Sequence, residues 1–115
     1  MNKPEVEFTD IETVPVTPCA GTVAELTERI LAADPDSGTA TRILYFAPGC
    51  DTTPNGVQIH DFWEEVYILN GSITDTRLGQ TFTAGMYAVR PPGMPHGPWT
   101  STEGAQTYEV RYPAS

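Results

Sequence analysis

The 115-residue chain has fifteen acidic against six basic residues and a net charge of −9 at pH 7. A surface this negative repels nucleic acid phosphates and anionic lipid headgroups, so neither nucleic acid nor a membrane is an expected partner. The length suits a single domain with a real core. No apolar run reaches the length of a signal peptide or a membrane span, so a cytoplasmic location is expected, with Cys19 and Cys50 as reduced thiols.

The first part of the chain is rich in proline, with Pro4, Pro15 and Pro18. Proline within sheets is confined to edges and bulges, because it has no N–H to donate to a neighbouring strand. We therefore predict an extended N-terminal arm over residues 1–20, acting as an edge strand or a dimer arm. Residues 21–115 are predicted to form a single barrel domain.

The segment Thr22–Ala33 is compatible with two structures. It matches a helix in which Thr22 is the N-cap and Glu25 completes a capping box. It also matches the first half of a hairpin, in which Leu26–Ala33 and Thr39–Phe46 are strands joined by an Asp-Pro-Asp-Ser-Gly turn. We predict the hairpin, because the rest of the chain has the pattern of β-structure.

From there on, short runs rich in Val, Ile, Tyr and Phe alternate with glycine and proline, which is typical of an all-β sandwich or barrel. Asn70-Gly71 is expected to be one of the turns. The predicted strands are Arg42–Phe46, Val57–Phe62, Glu64–Leu69, Ser72–Thr76, Gln80–Thr83, Tyr87–Arg90 and Gln106–Tyr112.

The only two histidines, His60 and His96, fall at the ends of strand-like segments. Residues two apart on a strand share a face, so Glu64 is expected to point inward with His60, while Glu65 points away. If His96 arrives from a second hairpin, two imidazoles and one carboxylate meet on one inner face. This 2-His-1-carboxylate set suits Fe(II), and it also accepts Mn, Ni or Zn.

Other roles stay open for the same side chains. Both histidines could be ordinary barrel residues held by hydrogen bonds, and Glu64 could be a solvated partner of Arg42 or Arg90. These two arginines could instead bind a substrate carboxylate at the barrel mouth, with a surface role as the alternative. The residues chosen for the walls of a substrate pocket are Phe62, Trp99 and Met94.

Two segments resemble the motifs of the cupin family. In the first, Gln58-Ile59-His60 is followed by three residues and Glu64, then by six residues and Gly71, with Gln58 in place of a first histidine. In the second, Gly85 is followed by five residues, Pro91-Pro92-Gly93, two residues and His96, which matches every position. The second segment is most similar to small single-domain bacterial cupins, including the cupin domain of zinc-binding anti-sigma factors.

The resemblance implies a double-stranded β-helix, or jelly-roll, barrel. It also implies a divalent metal ion held by His60, Glu64 and His96, with Gln58 as a weak fourth ligand. Because cupins commonly pair through edge strands, a homodimer is the expected assembly.

Three functions follow from these features. The first is a small metal-dependent enzyme, an oxygenase or an isomerase or lyase, that acts on a small oxygenated organic compound, with Glu64 as a candidate base. The second is a metal- or ligand-sensing module without turnover. The third is a metal-free barrel that binds or isomerises a sugar-like ligand, with His60 as the base. We favour them in that order.

Overall fold

The computed structural model describes all 115 residues, which form almost entirely β-structure. The helices are two single turns of 3-10 helix, Ile11–Thr13 and Thr53–Asn55. The nine strands are β1 (Thr17–Pro18), β2 (Leu26–Ala33), β3 (Ala40–Phe46), β4 (Cys50–Asp51), β5 (Phe62–Asp75), β6 (Gln80–Thr83), β7 (Tyr87–Arg90), β8 (Trp99–Ser101) and β9 (Ala105–Pro113). The prediction of an all-β fold is confirmed.

The strands form a curled antiparallel sheet in the order β1-β2-β3-β9-β5-β8-β4, and β6 and β7 also pair with β5. The first part of β5 lies between β7 and β9, and its last part pairs with β6 and β8. Because β5 takes part in so many pairings, its inward side chains lie at the centre of the barrel.

The hairpin of β2 and β3 is observed, and its first strand has the predicted bounds, Leu26–Ala33. Asp34, which is 2% exposed, begins the turn; its carboxylate accepts hydrogen bonds from the Asp36 N–H at 3.0 Å and the Ser37 hydroxyl at 2.7 Å. Gly38 supplies the left-handed residue of the turn, with φ at +79°. The hairpin prediction is confirmed, and the alternative helix is excluded because Leu26–Ala33 is a strand.

Inward-facing side chains become charged toward one end of β3 and β9. On β3 the alternate residues Phe46 and Leu44 are followed by Arg42, and on β9 Thr107 is followed by Glu109; all five are largely buried. One end of the barrel is therefore a hydrophobic core and the other end a polar interior. The core consists of Val23, Leu26, Leu44, Phe46, Cys50, Ile68, Ile73, Trp99 and Ala105.

β5 is one strand of fourteen residues, so the predicted turn at Asn70-Gly71 is wrong. The pairing of β5 with β9 shifts register between Ile68 and Asn70, which marks a bulge. A Cβ on Gly71 would lie 2.0 Å from the carbonyl oxygen of Gly104, and the Gly71 φ is +76°. Glycine is therefore required here for close approach of two backbones within a continuing strand.

The predicted strand Val57–Phe62 is also wrong. Only Gln58 in this segment pairs, through an isolated bridge to His96, and Phe62 already belongs to β5. The segment follows an irregular path because it comes after a 3-10 turn and Gly56, whose φ is +70°.

The N-terminal arm reaches the barrel edge through β1, in which Thr17 pairs with Glu28 of β2. Further back, the Lys3 ammonium donates to the Thr41 hydroxyl at 2.7 Å. The arm thus lies against the edge of its own sheet, and the homodimer stays a prediction. None of the helical segments has the length and apolar character needed to span a bilayer.

Candidate metal centre and polar cavity

His60, Glu64 and His96 meet at the polar end of the barrel. One potential ligand atom from each lies within 4.8 Å of the other two. All three line a cavity of about 180 Å³, which we call the polar cavity; Arg42 and Arg90 also line it. The structure therefore brings together the three side chains that the sequence singled out.

Backbone pairing and stacking fix the two imidazoles. Gln58 and His96 exchange two backbone hydrogen bonds, at 2.8 and 2.9 Å. The Gly93 N–H donates to the carbonyl of His60 at 2.8 Å, and Phe62 stacks on the His60 ring with centroids 4.5 Å apart and planes at 11°. The centroids of the two imidazole rings then lie 4.9 Å apart.

Both imidazoles are held in the neutral form. Burial, together with the positive charge of Arg90, lowers the pKa of His96 to about 4. Burial also lowers the pKa of His60, and this effect outweighs the opposing influence of Glu64. Because a metal ion binds the neutral imidazole, both side chains are ready to act as ligands at pH 7.

Glu64 supplies the carboxylate of the set and is 4% exposed. Its Oε1 lies 3.8 Å from His96 Nε2 and 2.9 Å from Arg90 Nη1. Metal–ligand bonds of about 2.0–2.2 Å place two neighbouring ligands of one ion about 3–3.5 Å apart, so a contraction of up to about 1.8 Å closes the set around an ion. The residues fit a divalent metal, with Arg90 as a competing partner of the carboxylate.

Arg42 lies inside the barrel and lines the polar cavity, where a free place at the mouth and a surface role were the alternatives. Its guanidinium contacts Glu28 at 2.5 Å, Glu109 at 2.7 Å and Glu64 at 4.0 Å. Burial lowers the pKa of Arg42, but Glu109 and Glu28 together outweigh burial and raise it. The Thr107 hydroxyl also donates to Glu109 at 2.7 Å. Arg42 is therefore occupied by protein carboxylates.

Arg90 is likewise buried, at 9% exposure, and pairs with Glu64 instead of lying free at the mouth. The alternative in which Glu64 is a partner of arginine is thus observed, but in a buried rather than a solvated form. The strand register explains the pair, because Glu64 of β5 lies directly opposite Arg90 of β7.

Gln58 lines the polar cavity beside the three candidate ligands. Its amide Nε2 donates to the carbonyl of Asn55 at 2.8 Å and more distantly to that of Gly56, at 3.5 Å. The amide nitrogen is therefore held by the loop, which leaves the Oε1 atom as the only ligand Gln58 could supply.

The three predicted pocket-wall residues lie in different surroundings. Trp99 lines the polar cavity, as predicted from its place after His96. Phe62 is absent from that lining and instead supports the back of the His60 ring. Met94 lines a neighbouring, apolar cavity.

Arg111 is the cavity residue that sequence reasoning missed. Its guanidinium carbon lies 5.3 Å from the centre of the Phe62 ring, and it lines the polar cavity without an ion pair to any carboxylate within 4.0 Å. Strand alternation was the available signal, since Thr107, Glu109 and Arg111 share one face of β9. Of the three arginines that line this cavity, Arg111 is the one without a carboxylate partner.

Glu65 occupies the opposite face of β5, as its position one residue from Glu64 predicted. It accepts hydrogen bonds from the hydroxyl of Tyr87 and, at 2.7 Å, from that of Tyr112. These hydrogen bonds lower the pKa of the Glu65 carboxyl. Glu65 therefore stabilises the outer face of the sheet.

A family model for the ChrR cupin-like domain matches residues 5–114. The chain belongs to this family. No curated protein sequence matches it. The sequence resemblance to cupins is thereby confirmed, and its motif glycine Gly71 serves a bulge in this cupin, where a turn was expected.

Solved structures share the fold at low sequence identity. An RmlC-like cupin from Shewanella frigidimarina has 21% identity and a TM-score of 0.74, over 99% of this chain and 96% of that one. The polyketide cyclase RemF from Streptomyces resistomycificus has 20% identity and a TM-score of 0.72, over 96% and 81%. An acetylacetone dioxygenase from Acinetobacter johnsonii has 20% identity and a TM-score of 0.73, over 97% and 75%. The predicted jelly-roll barrel is confirmed.

Proposed function

We propose that this cupin holds a divalent metal ion with His60, Glu64 and His96 and binds a small oxygenated organic molecule beside it. The supporting observation is the grouping of three potential ligand atoms within 4.8 Å of one another on a cavity wall. A bound divalent ion supplies a Lewis acid that polarises ligand oxygens, and bound iron additionally supplies chemistry with dioxygen.

The charges around the polar cavity favour an anionic ligand once a metal is bound. The protein charges balance without the ion, because three arginines face three glutamates, so a divalent ion leaves a surplus of positive charge that an oxyanion neutralises. The groups counted are Arg42, Arg90 and Arg111 against Glu28, Glu64 and Glu109.

Each neighbouring side chain has a task in this proposal. Arg111 adds an unpaired positive charge that attracts an anionic ligand to the polar cavity, and Phe62 holds the His60 ring in place by stacking. Arg90 orients the Glu64 carboxylate through the hydrogen bond of 2.9 Å. Glu64 is also the candidate base, since its Oε2 makes no hydrogen bond and lies 4.0 Å from Arg42 Nη2.

We propose turnover rather than binding alone, as an oxygenase or as an isomerase or lyase. Two structural neighbours are named for reactions on oxygenated organic compounds, a polyketide cyclase and an acetylacetone dioxygenase. The polar cavity, at about 180 Å³, suits the small reacting part of such a compound.

A metal-free barrel is the second candidate, and the Arg90–Glu64 pair favours it. A carboxylate that already has a guanidinium at 2.9 Å needs no metal to balance its charge. In this case His60, which is more exposed than His96, is the base.

The deciding experiment is elemental mass spectrometry of the protein purified without added metal and without a histidine tag. We expect near-stoichiometric iron, manganese, nickel or zinc, and its strong loss in His96→Ala and Glu64→Gln. Glu65→Gln is the matched control, because its carboxylate faces outward, and it should retain the metal. A metal-free protein that also fails to bind added ions would refute the metal centre and favour the second candidate.

A further inference from the structure

A second cavity, of about 330 Å³, adjoins the polar one and is larger than it. It is lined by fifteen residues, ten of them hydrophobic, and we call it the apolar cavity. It lies between β5, the β6–β7 hairpin and the chain from Met94 to Trp99. Its hydrophobic lining includes Ile68, Leu78, Phe82, Met86 and Met94. Such a cavity is the usual form of a small-molecule site.

The two cavities share a wall. Arg90, His96 and Trp99 line both of them, together with Val66 and Ile73. The Arg90 guanidinium carbon lies 5.4 Å from the centre of the Trp99 ring, which places a cation over an aromatic face at the boundary. A ligand that fills the apolar cavity therefore ends against a guanidinium and an imidazole that also belong to the candidate metal centre.

The other charged residues of the apolar cavity are a carboxylate held by backbone N–H groups and an exposed guanidinium. Asp75 is 1% exposed, and its carboxylate accepts hydrogen bonds from the N–H groups of Arg77, Leu78 and Gly97 at 3.0 Å each. Arg77 is exposed, and its guanidinium donates through one nitrogen to the carbonyl of Pro95 at 3.3 Å. Arg90 is 9% exposed and also uses a single nitrogen, Nη1, in a hydrogen bond within the protein. The free donors that are shielded from solvent thus lie at the wall that this cavity shares with the polar cavity.

Apolar side chains also surround the entrance. Leu78 is 51% exposed, Met86 47% and Met94 43%, on a chain whose net charge is −9. Exposed apolar side chains grouped around one cavity favour an apolar occupant over a sugar or a highly charged compound.

We propose that the apolar cavity binds the alkyl or aryl part of an amphipathic carboxylate, whose anionic end lies beside Arg90 at the wall shared with the polar cavity. This inference rests on the proposed function, because it extends the ligand of the same centre. It narrows the ligand from any small oxygenated compound to a monoanionic acid with a hydrophobic tail.

The test is calorimetric titration with acetate, butanoate, hexanoate and octanoate. Each buried methylene is expected to tighten binding about fourfold until the cavity is filled. Affinity that is equal along the series would overturn the proposal, because it would show that only the carboxylate is bound.

Variants locate the tail. Leu78→Glu and Met94→Glu place a charge at the entrance and should weaken octanoate binding at least tenfold, while acetate binding changes little. Ile30→Glu is the matched control: Ile30 is 47% exposed and lines neither cavity. Octanoate binding that is weakened equally by all three variants, or by none, overturns the assignment. Light scattering on the same samples tests whether a second copy of the chain occupies the apolar cavity instead. Self-association that Leu78→Glu abolishes, in a protein that does not bind octanoate, would also overturn the ligand assignment.

The titration is repeated on metal-free protein with metal content measured on every sample. Chain-length dependence in a protein that binds no metal supports this inference and refutes the metal centre. A metal-loaded protein whose affinity does not depend on chain length supports the metal centre and refutes this inference. The two proposals can therefore fail separately.

Discussion

Replacing Arg42 with methionine tests whether the polar interior is held by a buried charge network. The substitution keeps most of the apolar stem but removes the cation between Glu28 and Glu109, at 2.5 and 2.7 Å. These three side chains are 16%, 12% and 7% exposed, so water compensates only weakly for the lost partner. Removing one member of a buried ion pair costs about 3–5 kcal/mol. That is a large part of the stability of about 5–15 kcal/mol typical of a small domain.

Urea denaturation followed by circular dichroism measures the loss. Arg77→Met is the control, because Arg77 is exposed and bonded only to a carbonyl, and it should change the free energy of unfolding by about 0.5 kcal/mol or less. Adding Glu109→Gln to Arg42→Met should restore part of the stability, with a coupling of about 0.5–3 kcal/mol. A loss below about 1 kcal/mol, with no restoration in the double variant, would refute the buried network.

Three further predictions concern single positions. Gly71→Ala should lower the free energy of unfolding by more than about 2 kcal/mol in thermal unfolding, because its Cβ would lie 2.0 Å from a backbone carbonyl oxygen. Gly79→Ala is the control, since Gly79 has a similar φ but open space around it, and it should cost only about 1 kcal/mol. Equal losses would contradict the close approach at Gly71. Burial, followed by the charge of Glu28, raises the pKa of the Cys19 thiol from 9.0 to about 12. Alkylation of Cys19 by iodoacetamide at pH 8 should therefore be about a thousandfold slower in the folded than in the denatured protein. Comparable rates would place the thiol in solvent. Gln58→His should tighten zinc binding about tenfold in a chelator competition, since imidazole is the better ligand, and unchanged affinity would place residue 58 outside the coordination sphere.

Sequence reasoning was most accurate where neighbouring residues decide the structure. The hairpin of β2 and β3 follows from the turn chemistry that begins at Asp34, and the opposite faces of Glu64 and Glu65 follow from strand alternation. Motif spacing placed His60 and His96 on segments that pair with each other through Gln58. The same reasoning failed at Gly71, because a glycine required for close backbone approach has the same sequence signal as a glycine in a turn.

By itself, then, the sequence determined the all-β class, most strand positions, the family and the three candidate metal ligands. Only the tertiary structure decided which charges are already paired. Arg42 and Arg90 differ from Arg111 only in which glutamates lie within reach, and those contacts depend on strands that are distant along the chain. The boundary between the polar and apolar cavities has the same origin, since Arg90 and Trp99 meet only when the barrel closes. Local periodicity fixes the face on which a side chain lies, but distances across the interior exist only after folding.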